Sequence, residues 1–207
     1  TVALRLRGAF NVMNALAAFG ACYVLGVPPA EIAEGLGALA RVPGRLEPVD
    51  AGQPFQVLVD YAHTPDALER ALEAVRALGP KRLRCVFGCG GDRDRGKRPL
   101  MGAAAARLAD EVIVTSDNPR SEAPEAIVAE ILAGVGNGAG AASAANVRSI
   151  LDRAEAIVAA VAACEPGDAL LIAGKGHETV QILGDRTIDF DDRAVALEAL
   201  RARGFSA

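Results

Sequence analysis

The feature that most constrains this chain is an alternation, from residue 55 onward, of short apolar runs with amphipathic stretches. The runs are "FQVLVD", "RLRCVFG", "EVIVT" and "DALLIAG". Each is too short for a buried helix and rich in branched or bulky apolar residues, which is the signature of a buried strand. Between them lie helix signals. "TPDALERALEAVRAL" offers Thr64 as an N-cap and Pro65 at the first helical position, with Leu68, Leu72, Val75 and Leu78 on one face. A second helix is expected to open at Pro99. A third opens at Pro124, with Ile127, Val128, Ile131 and Leu132 inward, and a fourth spans about 152–163. "TVQILGDRTIDF" reads as a hairpin turning at Gly184-Asp185, and a last helix starts near Asp191. Strands alternating with helices across short connections pair in parallel, so an α/β fold with a mostly parallel sheet and helices on both faces is predicted.

The first fifty residues follow a different pattern. "GAFNVMNALAAFGACYVLG" is a helix of small and apolar residues ended by Gly26, and "PPAEIAEGLGALA" is a second helix opened by a proline pair. "RVPGRLEPVD" is extended and rich in breakers. Two helices and a linker cannot bury a core of their own. Residues 1–43 are therefore expected to be the tail of another domain plus linker, and 44–207 the main domain. Within the latter, "GVGNGAGAASAAN" is a glycine-rich connector expected to be mobile.

Composition excludes several classes. The 207 residues suffice for a sizeable core. They are 51% hydrophobic, yet no apolar run approaches a membrane span, and "TVALRLRGAF" lacks the basic-then-apolar pattern of a leader. A cytoplasmic protein without membrane insertion is expected. A net charge of −4 gives no electrostatic case for nucleic acid. Cys85 and Cys89 are spaced C-x3-C without nearby histidines, a poor zinc pattern, so buried free thiols are expected. His177 begins "HETV", but Gln181 stands where a zinc-binding helix needs its second histidine. No metal site is assigned.

In a parallel sheet, ligands bind beyond the carboxyl ends of the strands. The loops that emerge there are "DYAHTPD", "GCGGDRDRGKRP", "SDNPRSE" and "GKGHET". The second nearly matches a phosphate loop, but Arg98 replaces the hydroxyl that such a loop needs for magnesium. It nearly matches a dinucleotide fingerprint too, but Arg93 stands where close helix packing wants glycine. What remains is a flexible entry followed by a cluster of cations, suited to an anion. In "SDNPR", Pro119 fixes the backbone before Arg120. That is either an ordinary turn with Arg120 in solvent or a planar fork aimed at a carboxylate. In "GKGHE", two glycines either make a tight turn or let a ligand approach, and Glu178 can accept from an ammonium group. Carboxylate for the arginines and ammonium for Glu178 together suggest an amino acid.

"GRLEPVD", "VDYAHTPDAL", "VFGCGGDRDRGKRPLMG", "DNPRSE" and "AGKGHE" occur in this order across nearly the whole chain. Together they closely resemble the amide ligases of the Mur family, in particular the diaminopimelate-adding members, with which "DNPR" is associated. The resemblance implies a Rossmann-like C-terminal ligase domain, preceded by the last helices of a central ATPase domain. It places Arg93, Asn118, Arg120, Gly174 and Glu178 around meso-2,6-diaminopimelate. It places Asn11 and Asn14 near adenine, and Arg45, Asp60 and His63 near the ribose and phosphates of ATP. The implied reaction is ATP-dependent. The D-glutamate side-chain carboxyl of a UDP-N-acetylmuramoyl dipeptide is activated as an acyl phosphate with the help of Mg2+, and the amine of diaminopimelate attacks it. No catalytic residue is assigned within this chain. No true G-x-x-x-x-G-K-[ST] loop is present, so the chain is expected to be a portion of the ligase, inactive alone. A folylpolyglutamate-type ligase domain and a stand-alone amino-acid-binding module are the alternatives.

Overall fold

A computed structural model describes residues 2–6, 8, 10–136 and 146–206. The chain opens with two helices, α1 (Phe10–Val24) and α2 (Pro29–Ala38), and a short strand, β1 (Glu47–Pro48). The alternating part follows as β2 (Gln56–Asp60), α3 (Pro65–Arg76), β3 (Leu83–Phe87), α4 (Lys97–Leu108), β4 (Glu111–Val114), α5 (Pro124–Val135), β5 (Val147–Ser149), α6 (Arg153–Ala163) and β6 (Ala169–Ala173). The hairpin β7 (Val180–Leu183) and β8 (Arg186–Asp189) then leads to α7 (Asp192–Ala202).

Six strands form one sheet in the order β1-β2-β6-β3-β4-β5. All neighbours are parallel except the β1–β2 pair at the edge. The central strands β3 and β6 are buried at every position, which is why their sequences read as continuous apolar runs rather than alternating ones. Successive side chains go to opposite faces. Leu58, Phe87 and Leu171 join the core under α3, α4 and α5, with Leu68, Leu72, Met101 and Ile131. Val57, Val59, Val86 and Ile172 join the core under α6 and α7, with Ile157, Val161 and Leu200. Burying each such side chain contributes about 1.5–3 kcal/mol, so both faces are held mainly by apolar area.

Helix signals fix most starts. The Thr64 hydroxyl accepts from the Ala67 N–H, Asp152 caps α6 through the Glu155 N–H, and Asp191 caps α7 through the Arg193 N–H. Three expectations need correction. Leu78 is 40% exposed, because α3 ends at Arg76 and the residue lies past the packed face. The helix expected at Pro99 begins two residues earlier at Lys97, with Pro99 still in the first turn, where its missing N–H costs nothing. Leu132 is only half-buried at the margin of its core. Most of the glycine-rich connector, residues 137–145, lies outside the described residues.

The N-terminal helices are poorly buried. Asn11 is the buried residue of α1 and Ile32 that of α2, while Val12, Met13, Leu16, Tyr23 and Val24 are exposed. No helix among the described residues is long and apolar enough to cross a membrane.

One buried ion pair fastens the sheet to its helices. Arg153, at the start of α6, donates from Nε and Nη2 to the two carboxylate oxygens of Asp192 at 2.7 and 2.8 Å, with neither side chain exposed. The same guanidinium donates to the Ala173 carbonyl at 3.0 Å and the Ser116 carbonyl at 3.3 Å. Removing one partner strands a buried charge, whose cost is about 3–5 kcal/mol. Asp192→Ala should therefore lose about that much stability in urea denaturation. A loss under about 1 kcal/mol would show that water or relaxation compensates the arginine.

Candidate functional site

β6 lies between β2 and β3, so the loops leaving β2 and β3 diverge around its end and a crevice opens there. The crevice holds a cleft of about 450 Å³ lined by residues from all four predicted loops, including His63, Arg93, Lys97, Asp117, Asn118, Arg120, Gly174 and Glu178.

The loops after β3 and β4 are laced together. The Gly91 N–H donates to the Asn118 carbonyl at 2.9 Å, and Arg120 Nη1 donates back to the Gly91 carbonyl at 2.8 Å. Asp92 accepts from the Ser121 N–H and hydroxyl at 3.1 and 2.6 Å, while its own N–H donates to Glu122 Oε1 at 2.7 Å. A side chain at Gly91 has no room, since a Cβ would lie 1.9 Å from the Pro119 carbonyl oxygen. Behind this seam, fully buried Arg98 pairs with Glu122 and Glu130, both at 2.7 Å, and donates to the Gly90 carbonyl at 3.2 Å.

Arg120 is held by more than Pro119. Its φ of 52° is in the left-handed region, unusual for a side-chain-bearing residue. Its N–H donates to the Ile182 carbonyl at 3.3 Å, bridging the loop to β7. Ile182 N–H and Gln181 Nε2 in turn donate to Asn118 Oδ1 and the Asp117 carbonyl, at 3.0 and 2.8 Å. The hairpin thus clamps the whole segment. Because Nη1 is tied to Gly91 and Asn118, the rest of the guanidinium is left for a ligand.

A second cluster forms across the cleft. Lys175, with no exposed surface, donates from Nζ to Asn118 Oδ1 at 3.0 Å and to Glu178 Oε2 at 3.1 Å. Asn118 Nδ2 donates to the same Glu178 oxygen at 3.1 Å. Partial burial works to raise the pKa of Glu178. The hydrogen bond and charge of Lys175, the Asn118 amide and the charge of Arg120 outweigh it and hold the carboxyl below its usual value. Gly174, with φ of 115°, leaves space for Asp117, whose Oδ2 would lie 2.8 Å from a Cβ there. Among the described residues Arg93, Lys97 and Arg120 make no ion pair, and the Asp117 carboxylate accepts no hydrogen bond. Among these residues the cleft therefore presents three cations bonded only to backbone carbonyls, one carboxylate without a donor, and Glu178 with one oxygen taken by Lys175 and Asn118.

The nucleotide-side candidates divide. Asn11, Asn14 and Arg45 line a separate, mostly apolar cleft of about 420 Å³ with Leu4, Phe10 and Leu36. His63 lines the first cleft instead. The Arg45 guanidinium lies 5.2 Å from the centre of the Tyr61 ring, and Tyr61 packs edge-on to His63 at 4.6 Å, so one wall joins the two clefts. Asp60 lines neither. Its oxygens accept from the Leu46 and Ala62 N–H groups at 2.8 Å each, and burial, opposed by those bonds, raises its pKa.

No group of three or more His, Cys, Asp or Glu side chains among the described residues is placed to hold a metal, so magnesium has no fitting ligand set here. Cys85 and Cys89 are buried free thiols, both pushed up to about 12 by burial. Sequence reasoning did not single out Asp117, Lys97 or Tyr61 as site residues, and it saw Lys175 only as a charge between glycines. Adjacency to "NPR" was the available signal for Asp117, whereas Tyr61 acquires its place only through packing.

Comparison with known proteins agrees with the motifs. The family model described as "Mur ligase, glutamate ligase domain" matches residues 44–176. A UDP-N-acetylmuramoyl-L-alanyl-D-glutamate–2,6-diaminopimelate ligase of Geobacillus thermodenitrificans is 54% identical over 96% of this chain and 40% of its own length. A solved structure of a ligase with that name is 40% identical, with a TM-score of 0.75 over 99% of this chain and 41% of its own. The folylpolyglutamate synthase of Thermotoga maritima has a TM-score of 0.62 at 21% identity, which shows a shared fold alone. The chain thus spans about two fifths of the relatives it matches.

The seam behind Arg120 has a pH signature. The Arg98 hydrogen bond, followed by the Asp92 N–H, lowers Glu122 from 4.5 to about 2. The folded-state value lies below the unfolded one. The stabilisation is therefore complete above about pH 4.5 and is lost as pH falls toward 2. Denaturation midpoints measured from pH 7 down to about 2.5 should decline in the wild type, and less steeply in Glu122→Gln. Parallel declines would place the acid sensitivity elsewhere.

Proposed function

The chain belongs to the Mur ligase family, through its glutamate ligase domain, and from that premise we propose that it is the amino-acid-delivering part of an ATP-dependent ligase. The intact ligase would add meso-diaminopimelate to UDP-N-acetylmuramoyl-L-alanyl-D-glutamate in peptidoglycan synthesis, as the names of its relatives suggest. The observation that carries this reading is the set of charges gathered in one cleft: Arg93, Lys97 and Arg120, which make no ion pair among the described residues, with Asp117 and the Oε1 side of Glu178. Diaminopimelate has a carboxylate and an ammonium at each end, which suits a site lined by charges of both signs. Lysine lacks the distal carboxylate and would leave the Arg120 guanidinium desolvated without a partner, a loss of roughly a hundredfold in selectivity. Holding the amine in line with an activated carboxyl is the main catalytic contribution available to this domain.

ATP fits the second cleft by its donor set. Apolar walls suit a flat ring, the Asn11 and Asn14 amides would meet its polar edge, and Arg45 in this cleft and His63 on the adjoining wall would meet ribose and phosphate, with Asp60 acting through the backbone it holds. When bound, ATP supplies the phosphoryl group that activates the D-glutamate carboxyl. The phosphate-gripping loop and magnesium ligands would come from sequence outside these 207 residues. In this reading residues 1–43 are the tail of the central ATP-binding domain and 44–207 the ligase domain, and the exposed apolar face of α1 supports that division. These 207 residues alone would then not ligate.

The test uses the intact ligase. Arg120→Lys keeps the charge but loses the planar fork and its anchorage to Gly91. Its kcat/KM for diaminopimelate should fall about tenfold to a hundredfold, and that for lysine much less. An equal fall for both amino acids would remove Arg120 as the selectivity residue. Wild-type enzyme that adds no diaminopimelate would overturn the reading itself, in favour of another ligase of this fold or an amino-acid-binding module.

A further inference from the structure

The cleft contains one charge that a ligand does not reach. Lys175 is completely buried and does not line the cleft, yet two cleft residues depend on it. Its ammonium takes the Asn118 amide oxygen at 3.0 Å and Glu178 Oε2 at 3.1 Å. With Oδ1 accepting from Lys175 and from the Ile182 N–H, the Asn118 amide can have only one orientation, and its Nδ2 then donates to Glu178 Oε2. That oxygen therefore has two donors. Oε1 has none among the described residues.

A lysine is an expensive means of fixing a glutamate, because its charge must be desolvated. A neutral donor would satisfy the same oxygen. What the cation adds is charge balance behind the site. We propose, building on the amino-acid site above, that Lys175 is the positioning residue of that site: a permanent internal ammonium that occupies one face of Glu178 and leaves a single oxygen to receive the ammonium of the incoming amino acid. The arrangement limits the site to one external cation in one direction. It also keeps Asn118 from turning its amide oxygen toward the cleft, where it would compete for the same ammonium.

The charges around Glu178 are consistent with this role. Lys175 faces it from its own loop, Asn118, Asp117 and Arg120 from the loop after β4, and the Arg153 charge reaches it from α6. Among the described residues only Lys175 is in direct ionic contact with it. Burial pushes the Glu178 carboxyl up, and without Lys175 the main force holding it down is gone.

The experiment compares intact wild-type ligase with Lys175→Met, which keeps length and burial but removes charge. KM values for diaminopimelate and ATP, kcat, and the pH dependence of kcat/KM for diaminopimelate are measured. The expected result is KM for diaminopimelate raised about tenfold or more, KM for ATP unchanged, and the acid limb moved toward higher pH. A diaminopimelate KM and acid limb within twofold of wild type, with ATP use intact, would overturn the proposal. If Lys175→Met does not accumulate folded, Lys175→Met/Glu178→Gln carries the test, since it removes both charges of the buried pair. A raised diaminopimelate KM no higher than that of Glu178→Gln alone, with no acid limb from this site, supports the proposal, since Lys175 then acts through Glu178, and a KM well above that of Glu178→Gln overturns it. Wild-type KM in the double variant, or its failure to fold, assigns Lys175 to the scaffold alone and overturns it. Wild-type enzyme with no use of diaminopimelate is a separate outcome: it removes the amino-acid site on which the proposal stands and overturns both together.

Discussion

Two of the four loops at the cleft leave the ends of β4 and β6, and those ends are joined by Arg153. Its guanidinium reaches the carbonyl of Ala173, the last residue of β6, and that of Ser116, just past β4, while Asp192 balances its charge. One residue beyond each carbonyl stand Gly174 and Asp117. Sheet hydrogen bonds set the spacing of strands, but they stop where strands stop. A buried cation bonded to both strand ends carries that order into the loops, where apolar packing is sparse. An apolar residue of the same size would pack as well and could be as stable. It could not bind two carbonyls at once.

The same device recurs around the site. Arg98 holds Glu122 and Glu130 behind the Gly91–Asp92 segment, and Lys175 holds Asn118 and Glu178 behind the opposite wall. On the other edge of the fold, Arg84 pairs with Asp168 and Glu111 and ties neighbouring strands near their amino ends. Buried cations paired with carboxylates therefore surround a cleft in which Arg93, Lys97 and Arg120 make no ion pair among the described residues. The inner ring fixes geometry, and in the proposed reading the outer charges are left to meet a zwitterion that brings its own.

The two clefts share a wall rather than a cavity. Tyr61 sits under the Arg45 guanidinium and against the rings of His63 and His177. Its N–H donates to the Gly44 carbonyl at 2.8 Å, and Lys97 reaches the His63 carbonyl at 2.7 Å. The linker after α2, the loop after β2 and the loop before α4 are thereby in mutual contact.

The sequence by itself determined the layers and most of the chemistry's address. Continuous apolar runs such as "ALLIA" have to be buried on both faces, and short capped helices between them leave a parallel sheet as the available arrangement. Once the sheet is parallel, the loops carrying Arg93, Arg120 and Glu178 must emerge on one edge. The short edge strands β1 and β5 were not legible, because two or three residues show no period. The sheet order was not legible either, since the insertion of β6 between β2 and β3 depends on contacts between residues more than a hundred positions apart. Only the tertiary structure decided which charges are used internally and which face the cleft. Lys175, Arg98 and Arg153 are spent on carbonyls and carboxylates inside the fold, while Arg120, Arg93 and Asp117 face the cleft. Identical side chains acquire opposite roles there because desolvation depends on what lies around a charge, and composition and spacing carry no record of that.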